Sequence, residues 1–237
     1  MPKIGIFDSG HGGTTVMSAV KKLLPTAEYL YIADTAHRPY GEKPDSELYP
    51  IVSANVEKLK SWGADVIVIA CNTATVRCIA KLRRDYPELQ FIGTEPAIKV
   101  AADSGAKNIL VLATPSTIAS KRAHEIAEGN RRPGQQIDFL PCPGLADTIE
   151  RNYKDGSVQD SDGEIVSLLN ATLPPKHDYD AVVLGCTHYP LIKEYIQRYF
   201  PNAQMVDGSL GVARRVKSLL DNTTTPKTPT AKSYSSL

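Results

Sequence analysis

The 237-residue chain contains one tryptophan, four phenylalanines and four cysteines. No apolar stretch approaches the roughly 20 residues that a membrane helix needs, so no membrane role is expected. The chain opens without a charged segment leading into an apolar one. Met1-Pro2-Lys3-Ile4-Gly5-Ile6-Phe7 runs directly into a strand pattern, and the expected location is cytoplasmic. An excess of charge of one sign is also missing. Twenty-seven basic residues stand against 26 acidic ones, a net charge of +1, which leaves no electrostatic stripe for nucleic acid. Cys71, Cys78, Cys142 and Cys186 are too few for a disulfide framework in a chain of this size and read as reduced thiols, either catalytic or merely buried. There is no C-x-x-C, no H-E-x-x-H and no Cys/His pairing of zinc type, so no metal is expected.

What is present is an alternation of short apolar runs with longer segments of helical period, the pattern of βαβ units and a parallel sheet. Strands are expected at Lys3 to Phe7, Tyr29 to Ala33, Val66 to Ala70, Gln90 to Gly93, Asn108 to Ala113, Ile137 to Pro141, Ala181 to Gly185 and Gln204 to Val206. Helices are expected over Leu48 to Trp62, Thr75 to Tyr86, Leu191 to Phe200 and Val212 to Leu220. The fold class is therefore α/β. A first strand opening on polar residues, then a later strand ending in cysteine, occurs twice, which predicts two similar halves with a seam near Thr94 to Pro96. The expected domains are residues 1–95 plus 207–221, residues 96–206, and a flexible tail over 222–237. That tail is Thr, Pro, Lys and Ser with too few apolar residues to offset the entropy of ordering it.

Open parallel sheets bind ligands outside the carboxyl ends of their strands, so the residues that follow the strands are the candidates. Val66-Ile67-Val68-Ile69-Ala70 stops at Cys71-Asn72-Thr73, and Val182-Val183-Leu184-Gly185 stops at Cys186-Thr187-His188. Each half thus offers one thiol followed by hydrogen-bonding side chains. Two facing thiols suit a reaction in which one removes a proton and the other returns it. A single cysteine at a strand end is more often a small buried hydrophobe, and it is the pairing that favours chemistry. A thiol of ordinary pKa is mostly protonated at neutral pH and needs a helix N-terminus, a donor or a cation to serve as a base.

His188 can exchange a proton with Cys186 or the substrate; its plain alternative is a cap of the next helix. Asp8, at the end of the first strand, can orient a group or accept a proton, or can simply cap a helix. The glycines of Asp8-Ser9-Gly10-His11-Gly12-Gly13-Thr14-Thr15 would let backbone approach a ligand, although the stretch has neither the Lys-Ser/Thr of a P-loop nor the G-x-G-x-x-G spacing. Glu150 is unremarkable by itself. His11, His37, His124 and His177 read as surface or turn residues, while Cys78 and Cys142 read as structural.

Taken together, Asp8-Ser9-Gly10-x-Gly12-Gly13, Asp34 with Pro39-Tyr40-Gly41, Ala70-Cys71-Asn72-Thr73-Ala74, Glu95-Pro96-Ala97, Thr114-Pro115-x-Thr117 and Gly185-Cys186-Thr187-His188-Tyr189-Pro190-Leu191 resemble the glutamate racemases. The match runs in order over the chain to about Leu220 and departs at Thr14 and around Glu150. The resemblance implies two pseudo-symmetric α/β domains with the active site in the cleft between them. It also implies interconversion of L- and D-glutamate without pyridoxal phosphate, other cofactor or metal, with D-glutamate going into peptidoglycan, and a homodimer. By motif position, Cys71 would take the α-proton from D-glutamate and Cys186 from L-glutamate. Asp8 would assist Cys71, and His188 with Glu150 would assist Cys186. The substrate would be held by Asp8, Ser9, Pro39, Tyr40, Gly41, Asn72, Thr73, Thr114, Thr117, Thr187 and His188. Members activated by a peptidoglycan precursor commonly carry an extension ahead of the first strand, so no activator is expected.

Three other readings share parts of this pattern. A racemase for aspartate or for a broader range of amino acids would keep both cysteines, but its second motif more often resembles Gly-Cys-Thr-Glu. A thiol redox protein would cycle the two cysteines through a disulfide. An amino-acid-binding module on the same scaffold would have no need of both thiols.

Overall fold

The computed structural model describes residues 1–174 and 178–224, so His177 and residues 225–237 of the expected tail lie outside the described residues. Two four-stranded parallel sheets, each flanked by helices, make up the α/β architecture. The first contains β1 (Lys3–Asp8), β2 (Glu28–Ala33), β3 (Val66–Ile69) and β4 (Phe91–Gly93) in the order β2-β1-β3-β4. The second contains β5 (Asn108–Ala113), β6 (Gln136–Pro141), β9 (Ala181–Leu184) and β10 (Gln204–Val206) in the order β10-β9-β5-β6. Read from its other edge, the second order is that of the first, with β6, β5, β9 and β10 in the places of β2, β1, β3 and β4. β3 and β9 are buried along their whole length because helices cover both faces, which is why they read as unbroken apolar runs.

In such a sheet the crevice lies where the strand order reverses. That point falls between β1 and β3 in the first half and between β5 and β9 in the second. Phe7 pairs with Ile69, and Leu112 with Leu184, so Asp8 emerges beside Ala70-Cys71 and Thr114 emerges near Cys186. The chain crosses from one half to the other after Gly93, and Ala97 and Ile98 already pack in the second half against Ile109 and Val111. It returns after Val206: Val212, Ala213 and Val216 of α10 (Ser209–Thr224) pack with Ile4, Ile6 and Val16 of the first half. The two crossings lie side by side, since a Cβ on Gly208 would sit 3.1 Å from the Glu95 carbonyl oxygen. α10 runs three residues past the expected boundary at Asp221.

Several elements differ from the expectation for local reasons. α3 (Asn72–Asp85) begins three residues earlier than its apolar period because Cys71 caps it, the sulfur accepting from the Ala74 amide at 3.5 Å. The helix expected over Leu191 to Phe200 is a 3-10 turn, Tyr189–Ile192, followed by the short α9 (Lys193–Gln197). Pro190 is accommodated in the first turn, where its missing N–H costs nothing. A two-stranded hairpin, β7 (Tyr153–Lys154) with β8 (Ser157–Val158), was not expected. Its signal was present in Asp155-Gly156, which supply the two positive φ angles of a tight hairpin turn.

Gly185 ends β9 because only hydrogen fits there. Its amide donates to the Leu112 carbonyl at 2.7 Å, and an added Cβ would lie 2.7 Å from that same oxygen. Gly185→Ala therefore forces β9 away from β5, and urea denaturation should show a loss of about 1–3 kcal/mol.

Candidate active site

The carboxyl ends of both sheets open on one cavity of about 50 Å³. Ser9, Pro39, Tyr40, Gly41, Cys71, Asn72, Thr73 and Thr114 line it, as do Glu150, Cys186, Thr187 and His188. Arg38 and Asp147 complete the charged part of its wall. The two thiols are buried at 6% and 7% exposure and close enough for the charge of one to act on the other. All four cysteines are free, and Cys78 and Cys142 lie in the apolar cores away from this wall. Among the described residues no cluster of three or more His, Cys, Asp or Glu could hold a metal ion.

Cys71 sits at the N-terminus of α3, where the Ala74 amide and the Ser9 hydroxyl favour the thiolate, but burial and the neighbouring Asp8 charge outweigh them. The thiol is pushed well up and holds its proton at neutral pH in the unliganded protein. Thr73, Thr114 and Thr117 bring three hydroxyls from the two halves together: Thr73 Oγ1 lies 3.1 Å from Thr114 Oγ1 and 3.2 Å from Thr117 Oγ1. Asn72 Oδ1 is buried with no hydrogen-bond partner, so it presents a free acceptor at the cavity. Thr117 itself is fully buried behind the wall.

Asp8 also lies behind the wall, fully buried. Its carboxylate accepts from the Gly13 amide at 3.0 Å and, from the other half, from the Thr187 hydroxyl at 3.2 Å. Burial raises its pKa against the opposing effects of the His188 charge and these hydrogen bonds. Asp8 thus touches the site through Thr187 and through its charge on Cys71, whereas the sequence reading also put it on the substrate.

Glu150 is the larger surprise, because nothing in its local sequence marks it. One oxygen, Oε2, accepts from His188 Nε2 at 2.7 Å and from the His11 amide at 2.9 Å; the other, Oε1, lies 2.6 Å from His11 Nδ1. An ionised carboxylate only accepts, so both ring nitrogens facing it carry protons. On its other side His188 Nδ1 lies 3.7 Å from the Cys186 sulfur. Burial acts upward on Glu150 but is outweighed by the two histidines, which bring it down to about 2. Burial likewise opposes the His188 cation, and the hydrogen bonds to Cys186 and Glu150 outweigh it, pushing the ring up to about 10. Glu150 and His188 therefore form a buried ion pair against Cys186.

His11 was expected to be a surface or turn residue without such neighbours, and the structure corrects this. It is half exposed, and one ring face stacks on Tyr153 of the unexpected hairpin, with centroids 4.9 Å apart. His37 and His124 are exposed as expected, although His37 also bonds Asp34 at 2.6 Å. The glycines of the first loop are required by the opposite half rather than by a ligand alone. A Cβ on Gly10 would lie 2.6 Å from Glu150 Oε2, and one on Gly12 would lie 2.7 Å from the His188 backbone nitrogen.

The Pro39-Tyr40-Gly41 wall is held from behind. Tyr40 donates to Asp34 Oδ2 at 2.6 Å and Asn55 donates to the same oxygen at 2.9 Å. Arg77 of α3, which sequence reasoning missed, donates to the Tyr40 carbonyl at 3.3 Å and, from the second half, is met by Ser116 Oγ at 3.4 Å. Its signal was weak, since an arginine on an amphipathic helix reads as solvated.

Two parallel-sheet halves of like topology, each bringing a buried thiol to one cavity, define a class of two-sheet α/β protein, and comparison with known proteins bears on which. The Asp/Glu/hydantoin racemase model matches residues 15–215, and the chain belongs to that family. Glutamate racemases are among the proteins it is similar to. The one from Clostridium novyi is 37% identical over 92% of this chain and 83% of its own length. A solved structure of the Escherichia coli glutamate racemase, in complex with L-glutamate and an activator, superposes with a TM-score of 0.82 at 31% identity, covering 99% of this chain and 86% of that one. The allantoin racemase of Klebsiella pneumoniae, at 18% identity and a TM-score of 0.53, shares the fold.

Glu150→Gln should remove about 3 kcal/mol of stability at pH 5.5, because it leaves His188 buried without its counter-charge. The depressed Glu150 stabilises fully above its ordinary value of 4.5 and less as pH falls through about 2. The raised His188 stabilises fully below its ordinary value of 6.5 and less as pH rises through about 10. The wild-type advantage in urea titrations should thus be largest between pH 4.5 and 6.5 and shrink on both sides. His11→Val should lower turnover several-fold while His11→Asn, which restores a donor to Glu150, recovers most of it; steady-state assays at fixed pH check this.

Proposed function

We propose that the chain interconverts L- and D-glutamate by two-base proton transfer at the α-carbon, with Cys71 and Cys186 as the bases. The observation that carries this reading is that one buried thiol from each half lines a single cavity. A racemase needs a base on each face of one carbon, and a thiol that gains a proton on one face must be matched by one that gives a proton on the other. From L-glutamate, the Cys186 thiolate takes the α-proton and Cys71 delivers its own to the opposite face. From D-glutamate the roles reverse.

The surrounding groups suit the charge that develops. As the α-proton leaves, negative charge grows on the α-carboxylate, and the Thr73 and Thr114 hydroxyls, which otherwise bond one another, turn to donate to it, beside Thr187 held by Asp8. Asn72 Oδ1, buried and unpartnered, suits an ammonium N–H. Ser9, Pro39, Tyr40 and Gly41, which line the same cavity, hold the rest of the substrate. His188, charged and anchored by Glu150, shuttles a proton to and from Cys186, while Asp8 acts on Cys71 through its charge and on Thr187 by hydrogen bond. The Gly-Cys-Thr-His form of the second motif favours glutamate over aspartate as substrate, in line with the glutamate racemases at 36 to 38% identity. The same reading places the chain in the cytoplasm as a homodimer and gives its D-glutamate to peptidoglycan; no helix among the described residues is long and apolar enough to cross a membrane.

Proton NMR in D₂O tests it. Wild type with L-glutamate should exchange the α-proton and accumulate D-glutamate. Cys71→Ser and Cys186→Ser should each lower racemisation by about 10²–10⁴-fold, with aspartate turned over far more slowly than glutamate. A folded wild-type protein that exchanges no α-proton would refute the assignment.

A further inference from the structure

We propose that Arg77 is a positioning residue for the racemisation. By bonding the Tyr40 carbonyl and the Ser116 hydroxyl, it holds the Tyr40-Gly41 wall of one half against α5 (Pro115–Ile118) of the other, and so shapes the site that binds glutamate. The inference rests on the glutamate racemase reading above. Arg77 projects from α3 onto the short 3-10 turn Tyr40–Glu42, and its guanidinium spans the carbonyls at either end. Nη1 donates to the Tyr40 carbonyl at 3.3 Å, and Nη2 to the Lys43 carbonyl at 2.7 Å. The second N–H of Nη1 reaches Ser116 Oγ at 3.4 Å, while Nε and Nη2 also donate to Asp45 Oδ1. Every donor of the side chain thus has an acceptor.

Asp45 does not account for this placement. It is 79% exposed, and an ion pair with so exposed a partner contributes little, yet the arginine side chain is only 15% exposed. What the burial secures is a rigid fork of donors matched to both ends of one turn and to the facing half, which the single ammonium of a lysine cannot reproduce. Thr73 and Arg77 lie one turn apart on the same face of α3. Thr73 Oγ1 meets Thr114 Oγ1 at 3.1 Å and Arg77 meets Ser116, so that face docks twice on the start of α5. The wall follows, since a Cβ on Gly41 would lie 3.6 Å from Ser116 Cβ and 3.9 Å from Thr114 Oγ1. Gly41 therefore rests beside a hydroxyl that holds the α-carboxylate, and a slack turn would carry it away. The thiols follow β3 and β9, whose strands are held by their own sheets. Loss of Arg77 thus weakens binding and leaves the bases in place.

The alternative role is a brace that stiffens the turn without acting on the substrate. Steady-state kinetics in both directions, with thermal melts, separate the two. Arg77→Met should raise KM for L- and D-glutamate about 5- to 20-fold and Ser116→Ala about 2- to 5-fold, with kcat within about threefold of wild type. The double variant should have a KM no higher than that of Arg77→Met, because the two side chains act as one contact. Arg77→Lys should fall between wild type and Arg77→Met, and Asp45→Asn should leave KM unmoved. A lower melting temperature with unchanged KM in Arg77→Met, Arg77→Lys and Ser116→Ala would make Arg77 a brace. KM rises that multiply in the double variant would make the two side chains independent, and a rise in Asp45→Asn equal to that in Arg77→Met would assign the effect to the ion pair. Each of these overturns the proposal. If Arg77→Met does not fold, Arg77→Lys and Ser116→Ala decide it by the same criteria. An inactive wild type overturns the racemase reading itself, so the two failures are distinct.

Discussion

The buried carboxylate of Glu150 is the contact on which the site depends. It takes hydrogen bonds from His11 on the first half and His188 on the second, so one side chain joins the two sheets and sets the charge beside Cys186. A carboxylate this deeply placed is stable only with its acceptors filled and a cation beside it, and the fold supplies both. The first loop carries glycine at Gly10 and Gly12 because any side chain there would strike Glu150 or His188. Close approach of the halves, a buried ion pair and a positioned imidazole are thus one constraint.

A second consequence of the paired architecture is how the two thiols come to differ. Both stand at the point where the strand order of their sheet reverses, and both are buried, yet their neighbours are unlike. Cys71 has a helix N-terminus, a serine hydroxyl and a buried aspartate whose charge pushes its thiol up. Cys186 has an imidazole with a carboxylate behind it. Asp8 and Thr187 meet across the seam, so the surroundings of the two thiols are joined by a hydrogen bond between the halves. The two thiols on one cavity thus have separate supports.

Much of the fold was legible in the sequence. The runs ending at Cys71 and Cys186 are apolar throughout because their strands are covered on both faces, and that pattern survives without any knowledge of the partner strands. Helix boundaries were less legible: the start of α3 depends on a sulfur acting as cap, and the break after Ile192 on a proline-containing turn. The thiols, His188 and the threonines were legible because strand ends are where open sheets bind ligands. His11 and Arg77 were not. A histidine in a glycine loop and an arginine on an amphipathic helix look solvent-facing until the opposite half is placed against them.

The sequence by itself determined the α/β class, the repeat of strand and polar loop in two halves, and the pair of cysteines at equivalent strand ends, since periodicity and strand termini are local properties of the chain. Only the tertiary structure decided that Glu150 bridges His11 and His188, that Asp8 reaches the cavity through Thr187, and that Gly10 and Gly12 make room for the other half. Glu150 and His11 are 139 residues apart, and Asp8 and Thr187 are 179 apart. Contacts of that span leave no periodic trace in sequence; they exist because two sheets of like topology face each other across one seam.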